Sequence, residues 1–243
     1  MDGKRILVTG ATSGIGLATA RRLLALGAQV WAVGRNAERL AALEEQGLNG
    51  GAAQAFDLLD FDGYRAFASG LPELDGVVHS AGVVENSPLR YFSIEKYERT
   101  IATNQSAPLL LTAEMARAAK VNAGGAIVLL ASISGTSIGM KGIAAYAASK
   151  AALVGMSKVM ALELAPKGIR VNCVSPGMVN TELVAGATHL SDAAKQADMA
   201  KYPLGGRYAE PREVAGVIAF LVSDHASFMT GQNLTVDGGY SIQ

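Results

Sequence analysis

Apolar positions along this chain follow two alternating patterns. Short continuous runs of four to six residues stand at Arg5–Thr9, Val30–Val33, Gly51–Phe56, Gly76–Ser80, Gly125–Leu130 and Arg170–Val174, with a last one from Asn233 that closes on the Asp237-Gly-Gly239 turn. Runs of this length without polar alternation are what a strand buried on both faces requires. Between them the apolar residues recur at helical spacing. Leu17, Ala20 and Leu24 share one face of a helix that Gly27 ends. Leu40 and Leu43 mark a second helix, which Asn36 caps and which stops near Gly47. A short helix follows at Tyr64–Ala68, and a long stretch runs from Ser93 to Lys120 with a break expected at Pro108. Another helix carries Tyr146 and runs to about Ala165, and a last one opens at Pro211 and continues through Val222. Thr181 to Arg207 fits neither pattern, apart from a short helix expected near Ser191–Ala200.

Seven strands alternating with helices predict an α/β fold: a single-domain, Rossmann-type, doubly wound parallel sheet with helices on both faces, spanning residues 1-243. Right-handed crossovers from a central first strand give the order 3-2-1-4-5-6-7. Ligands of such sheets sit outside the carboxyl ends of the strands, so the residues that follow each run are the candidates for chemistry. The Thr181–Arg207 excursion leaves that same end and reads as a lid that selects substrate.

After the first strand comes Gly10-Ala-Thr12-Ser13-Gly14-Ile15-Gly16. Glycines there permit a tight turn, the approach of a pyrophosphate to the backbone, and close helix–strand packing, and the helix N-terminus offers free N–H groups to an anion. No Gly-Lys-Ser/Thr follows, so this is not a nucleotide-hydrolase loop. The second strand ends in Gly34-Arg35-Asn36, where a carboxylate would bind the ribose 2′-hydroxyl of NAD and an arginine accepts the 2′-phosphate of NADP. Arg35 therefore points to NADP(H), with NAD(H) as the alternative. Asp57 and Leu58 end the third strand and Ser80-Ala81-Gly82 the fourth; Asp57 could accept from an adenine amino group or be a plain strand-end acid. Ser132 puts a hydroxyl at the end of the fifth, and Asn104 an amide in an apolar helical setting. Tyr146 and Lys150, four residues apart on one helix, share a face. An ammonium held beside a phenol favours the phenolate, and such a pair can exchange a proton with a substrate oxygen.

Composition narrows the classes. Formal net charge is +0, with only 17% charged residues, which does not favour nucleic acid or an anionic membrane surface as a partner. No apolar run reaches the length of a membrane span. A lone cysteine, Cys173, precludes an internal disulfide, and three scattered histidines give no metal-ligand spacing. A cytoplasmic protein without a metal is the expectation.

Taken together, Thr9-Gly-Ala-Thr-Ser-Gly-Ile-Gly16, Asn104, Ser132, Tyr146-x-x-x-Lys150, Ser175-Pro-Gly177 and Val236-Asp-Gly-Gly239 resemble the short-chain dehydrogenase/reductase family over essentially the whole chain, and within it the 3-oxoacyl-(acyl-carrier-protein) reductase group. The resemblance implies that Tyr146 is the acid/base and that Lys150 holds the nicotinamide ribose. It implies that Ser132 bonds the substrate oxygen and that Asn104 fixes a water linking Lys150 to solvent. Residues following Pro176 and Gly177, namely Val179 and Thr181, would hold the carboxamide and pyrophosphate. It departs from the family in His79-Ser80-Ala-Gly82, where Asn-Asn-Ala-Gly is usual, so a serine replaces a cofactor-side amide; His79 itself reads as packing. Ser134 rivals Ser132 for the serine role, and Ser13 stands where many NADP-using members carry a basic residue. The implied activity is reduction of a ketone, in the 3-oxoacyl class, by hydride transfer from NADPH. The alternatives are oxidation of a secondary alcohol, sugar or polyol, and a cofactor-sensing homologue without turnover. The implied partners are a small carbonyl or alcohol substrate and three further copies in a homotetramer. Ser134–Met140, Val84–Leu89 and Leu183–Tyr208 are the expected substrate pocket, with no charged cluster to name a ligand.

Overall fold

The computed structural model describes residues 1–187 and 191–242. Its strands are β1 (Arg5–Thr9), β2 (Gln29–Gly34), β3 (Ala52–Ala55), β4 (Leu74–His79), β5 (Val121–Leu130), β6 (Arg170–Pro176) and β7 (Asn233–Val236). All pair in parallel in one sheet of order β3-β2-β1-β4-β5-β6-β7, as the crossover argument predicts. Successive strand residues point to opposite faces. Ile6 and Val8 join one core with Leu23 of α1 (Gly14–Ala25), Leu40 of α2 (Ala37–Glu45) and Ile218 of the C-terminal helix. Leu7 joins the other, with Phe67 of α3 (Tyr64–Gly70) and with residues of the helices that follow β4 and β5. Both faces are thus covered, and the strand ends are left for ligands.

The largest departures from the sequence reading are at β5 and at the helix after Ser93. β5 begins at Val121 rather than Gly125, because Val121 pairs with Leu74 across an irregularity before the regular ladder starts at Ala126. The long stretch from Ser93 does not break at Pro108. It forms α4 (Ile94–Ile101), a wide π-turn (Ala102–Ser106) and α5 (Ala107–Arg117). Pro108 has no N–H to give the carbonyl of Asn104 four residues back, so the ladder shifts register ahead of it, and Ala107 N–H donates to Ala102 O instead.

Local signals account for the other ends. The Asn36 side chain accepts from Arg39 N–H at 2.9 Å and caps α2. α6 (Ala144–Leu164) carries Tyr146 in its first turn and Lys150 in its second. The lid holds two helices where one is expected, α7 (Glu182–Ala187) and α8 (Asp192–Met199). Thr181 Oγ1 accepts from Val184 N–H at 3.3 Å and so starts α7. Residues 188–190 of this excursion lie outside the described residues. α9 (Pro211–Val222) opens on proline, with the Glu213 carboxylate accepting from Glu210 N–H at 2.8 Å. Its C-terminal end is held by Arg170, a buried guanidinium donating to Leu221 O and Ser223 O at 2.8 and 3.0 Å. Among the described residues, no helix is long and apolar enough to cross a membrane.

Candidate active site

The glycine-rich loop between β1 and α1 is shaped by contacts that leave no room for side chains. Gly10 has φ +67°, and a Cβ there would lie 2.8 Å from the backbone of Ala81; on Gly16 it would lie 2.2 Å from Gly10 O. The loop is therefore pressed against the end of β4 and against its own helix. Beneath it lies a cavity of about 390 Å³. Its walls include Gly10, Thr12, Ser13, Gly14, Ile15 and Gly16 from the loop, exposed Arg35 from the end of β2, Asp57 and Leu58 after β3, and Ser80, Ala81 and Gly82 after β4. Such a backbone cradle, with a helix N-terminus along one side, fits a dinucleotide. Asp57 Oδ1 accepts from Leu59 N–H at 3.0 Å, which makes it a turn-forming acid as well as a wall residue.

A second cavity of about 560 Å³ opens on the other side of Ser132 and Tyr146. Ile133, Ile138, Met140, Ile143, Met178 and Val184 give it an apolar wall. The sequence reading placed Ser134–Met140, Val84 and part of the lid here, but it missed Lys141, Met178 and Tyr240. The sequence shows no charged cluster there, but the structure assembles one. Lys201 and Asp198 line this cavity 3.0 Å apart, and Tyr208 donates to the second Asp198 oxygen at 2.9 Å. Tyr240, at the C-terminal turn, reaches the cavity by long-range packing that has no local periodicity, so no signal in the sequence could have found it.

A third cavity, about 90 Å³, joins the two. Ser132, Tyr146, Lys150, Pro176, Gly177, Val179 and Thr181 surround it, together with Ile15, Ser80 and Gly82. Leu183 of α7 lines all three cavities.

At this junction Ser132 is buried. Its Oγ accepts from Ser134 N–H at 3.1 Å, and its hydroxyl is close enough to the phenol of Tyr146 to influence it. Ser134, its rival, is tied to Met140 Sδ at 3.5 Å and lines only the larger cavity. Lys150 Nζ donates to Leu130 O at 2.6 Å and lies 5.8 Å from the centre of the Tyr146 ring. Burial pulls the ammonium down to about 8. The expected depression of the Tyr146 phenol is not found. Burial raises it, and the Ser132 hydroxyl offsets that only in part. The reason is that the phenolate is the form desolvation penalises, while the Lys150 ammonium is held on Leu130 O.

Asn104 lines none of these three cavities. It is fully buried in the π-turn, donating to Val83 O at 2.9 Å and to Ser149 Oγ at 3.1 Å, and accepting from Val83 N–H at 2.8 Å. A Cβ on Gly82 would stand 3.2 Å from Asn104 Oδ1 and 3.4 Å from Lys150 Nζ, so a side chain there would press on the amide. His79 is buried under the sheet end, paired with Thr112 Oγ1 at 3.0 Å, and burial holds it neutral with its pKa lowered to about 4. Among the described residues, no group of three His, Cys, Asp or Glu could hold a metal ion.

Known proteins resemble this arrangement from end to end. Residues 10–241 match the profile of the family described as Enoyl-(Acyl carrier protein) reductase. The chain is 38% identical over 250 residues to D-threitol dehydrogenase of Mycolicibacterium smegmatis, covering 100% of this chain and 95% of that one. It is 36% identical over 239 residues to a 3-oxoacyl-(acyl-carrier-protein) reductase of Rickettsia conorii, covering 98% and 97%. Among solved structures, a candidate NAD(P)-dependent gluconate 5-dehydrogenase from Beutenbergia cavernae, with NADP bound at low occupancy, superposes with a TM-score of 0.89 at 34% identity, covering 100% and 98%.

Proposed function

Since the chain belongs to the short-chain dehydrogenase/reductase family and is an oxidoreductase of CH–OH and C=O groups, we propose that it reduces a ketone of the 3-oxoacyl class with NADPH. The observation that carries this reading is the junction cavity, where Ser132, Tyr146 and Lys150 meet residues from the glycine-rich side. A bound nicotinamide dinucleotide supplies the hydride. The chain's own residues supply the rest. Gly10 to Gly16 cradle the pyrophosphate, and Arg35 takes the 2′-phosphate. Asp57, Leu58 and Ser80 to Gly82 flank the adenosine half, and Val179 and Thr181 hold the nicotinamide half. Ser132 donates a hydrogen bond to the substrate oxygen and Tyr146 passes its proton to that oxygen. The raised phenol suits a donor that must hold its proton until charge develops on the substrate. Lys150, the cation nearest this proton, stabilises the phenolate that is left, and Asn104 is the amide behind it.

The apolar wall of Ile133, Ile138, Met140, Ile143 and Met178 supports an acyl chain over a short polyol. The second reading, oxidation of a secondary alcohol, sugar or polyol, is favoured by the likeness to D-threitol dehydrogenase and by Lys141, Asp198 and Lys201 in the same cavity. Exposed Leu109 and Leu110 on α5 and Val159 and Leu162 on α6 support a homotetramer built through those helices. Residues 1–243 form one catalytic domain, placed in the cytoplasm. The test is steady-state reduction of an acetoacetyl thioester with NADPH and NADH side by side. Turnover favouring NADPH is expected. A protein that binds NADPH but turns over only a polyol would reject the acyl substrate in favour of the second reading.

A further inference from the structure

One buried hydroxyl beside the junction has no part in the chemistry described so far. Ser149 precedes Lys150 on α6 and is fully buried. Its hydroxyl proton goes to Tyr146 O, three residues back, at 2.7 Å. A serine satisfying the carbonyl of the preceding helical turn is common and by itself says nothing. Here, however, the same oxygen accepts a second bond, from Asn104 Nδ2 at 3.1 Å, across from the π-turn. The other Nδ2 proton goes to Val83 O, and Asn104 Oδ1 accepts from Val83 N–H, so every amide proton of Asn104 is placed. Of those partners, Ser149 alone belongs to the helix that carries Tyr146 and Lys150. Asn104 Oδ1 and Lys150 Nζ flank the point that a Gly82 Cβ would take. The Val83 pair sets which way the amide faces, and the bond to Ser149 sets how firmly its oxygen is held to the helix that carries the ammonium.

We propose that Ser149 is a positioning residue. It ties the Asn104 amide, whose orientation the Val83 backbone sets, to the helix carrying the acid/base pair, and so holds the amide oxygen close to Lys150. The proposal rests on the reading of Tyr146 and Lys150 above, so its test needs one readout that does not require turnover. Without the hydroxyl, the amide keeps its Val83 partners and its orientation but loses its tie to α6, so its oxygen can move away from Lys150. An acceptor held less closely favours the ammonium less, and the Lys150 pKa falls.

Three measurements on Ser149→Ala test this. In the cofactor-free protein, carbon-13 NMR of ε-labelled lysine, with Lys150→Met identifying the signal, should show Lys150 titrating lower than in wild type by about half a unit. In turnover, kcat should fall about tenfold while KM for substrate and cofactor stays within twofold, and the alkaline limb of kcat/KM should move down with the Lys150 titration. Combined with Asn104→Ala, Ser149→Ala should add no further loss, since both remove one device. Ser149→Thr keeps the hydroxyl and should recover the wild-type titration even where its methyl group lowers the melting temperature. An unchanged Lys150 titration in a folded Ser149→Ala protein, or fully additive losses in the double variant, would overturn the proposal. A titration shift in Ser149→Ala, found where the wild-type protein reduces no acetoacetyl thioester, would leave Ser149 in place and reject only the substrate.

Discussion

The two large cavities meet at Leu183, yet they are walled by different material. The cavity under the glycine-rich loop is built from strand ends and small residues: Gly10, Gly14, Gly16, Gly34, Ala81 and Gly82. Much of its wall is backbone, held by the parallel ladder of β1, β2 and β4. The cavity beyond Tyr146 is built from side chains on the segment after β5, on the lid and on the C-terminal turn, among them Met140, Lys141, Leu183, Lys201, Tyr202 and Tyr240. A backbone wall is insensitive to most substitutions and fits a ligand common to many enzymes. A side-chain wall is rewritten one residue at a time and decides which substrate enters. The residues that do chemistry stand between the two, at the junction.

The sharpest break in this comparison is at the junction. Tyr146→Phe removes one hydroxyl and leaves both walls intact. Turnover should fall about a thousandfold, within the range for loss of a positioned proton donor, while NADPH binding measured by fluorescence titration stays within about twofold. Retained turnover would take Tyr146 out of its role. On the backbone-walled side the next effect is Arg35→Asp. Exchanging a phosphate-binding charge for a ribose-binding one should move the ratio of kcat/KM with NADPH to that with NADH by about 10- to 100-fold toward NADH, the worth of a charge-assisted hydrogen bond. A constant ratio would mean that Arg35 is a solvated charge.

This division also explains what could be read in advance. The runs at Arg5–Thr9, Gly76–Ser80 and Gly125–Leu130 are dictated by double burial, and parallel strands with helical crossovers leave few topologies, so order and direction of the sheet were legible. The residues around the cofactor cavity follow immediately on those strands and so come with the strands. The π-turn at Ala102–Ser106 was not legible, because its cause lies in a proline whose lost donor acts one turn earlier. Nor was the raised phenol of Tyr146. Sequence shows the neighbouring lysine but not the burial that outweighs it. Lys201, Asp198 and Tyr208 assemble only through the lid fold, and the sequence accordingly shows no charged cluster that names a ligand.

Leu183 tests whether the two cavities are independent. It lines both and the junction between them, and it is 42% exposed on a two-turn helix. Leu183→Ala should raise KM for both substrate and cofactor by about three- to tenfold, because truncating one half-buried leucine removes about 1 kcal/mol of contact from each ligand. A rise for one ligand alone would assign the residue to that side. Stability should hardly change, which differential scanning calorimetry can verify, since nothing in the core rests on this side chain.

The smallest effect concerns how the lid is fastened to the cofactor side. Arg39, in the first turn of α2, pairs with Glu182 of α7 at 2.9 Å, and Glu182 lines the cofactor cavity. The pair links α2, which follows directly on the Arg35 turn, to the lid, so it must open for the lid to lift on that side. Both partners are well exposed, at 47% and 70%, and an exposed pair contributes at most about 1 kcal/mol. Glu182→Gln should therefore speed NADPH release, followed by stopped-flow fluorescence, by about two- to fivefold at low salt. The difference should vanish near 0.5 M salt, where screening over about 4 Å leaves wild type and variant alike. KM for the carbonyl substrate should not move, because the pair lies on the backbone-walled side. A change in substrate KM would show instead that fastening the lid at α2 also shapes the side-chain wall, and that the two cavities are coupled through α7.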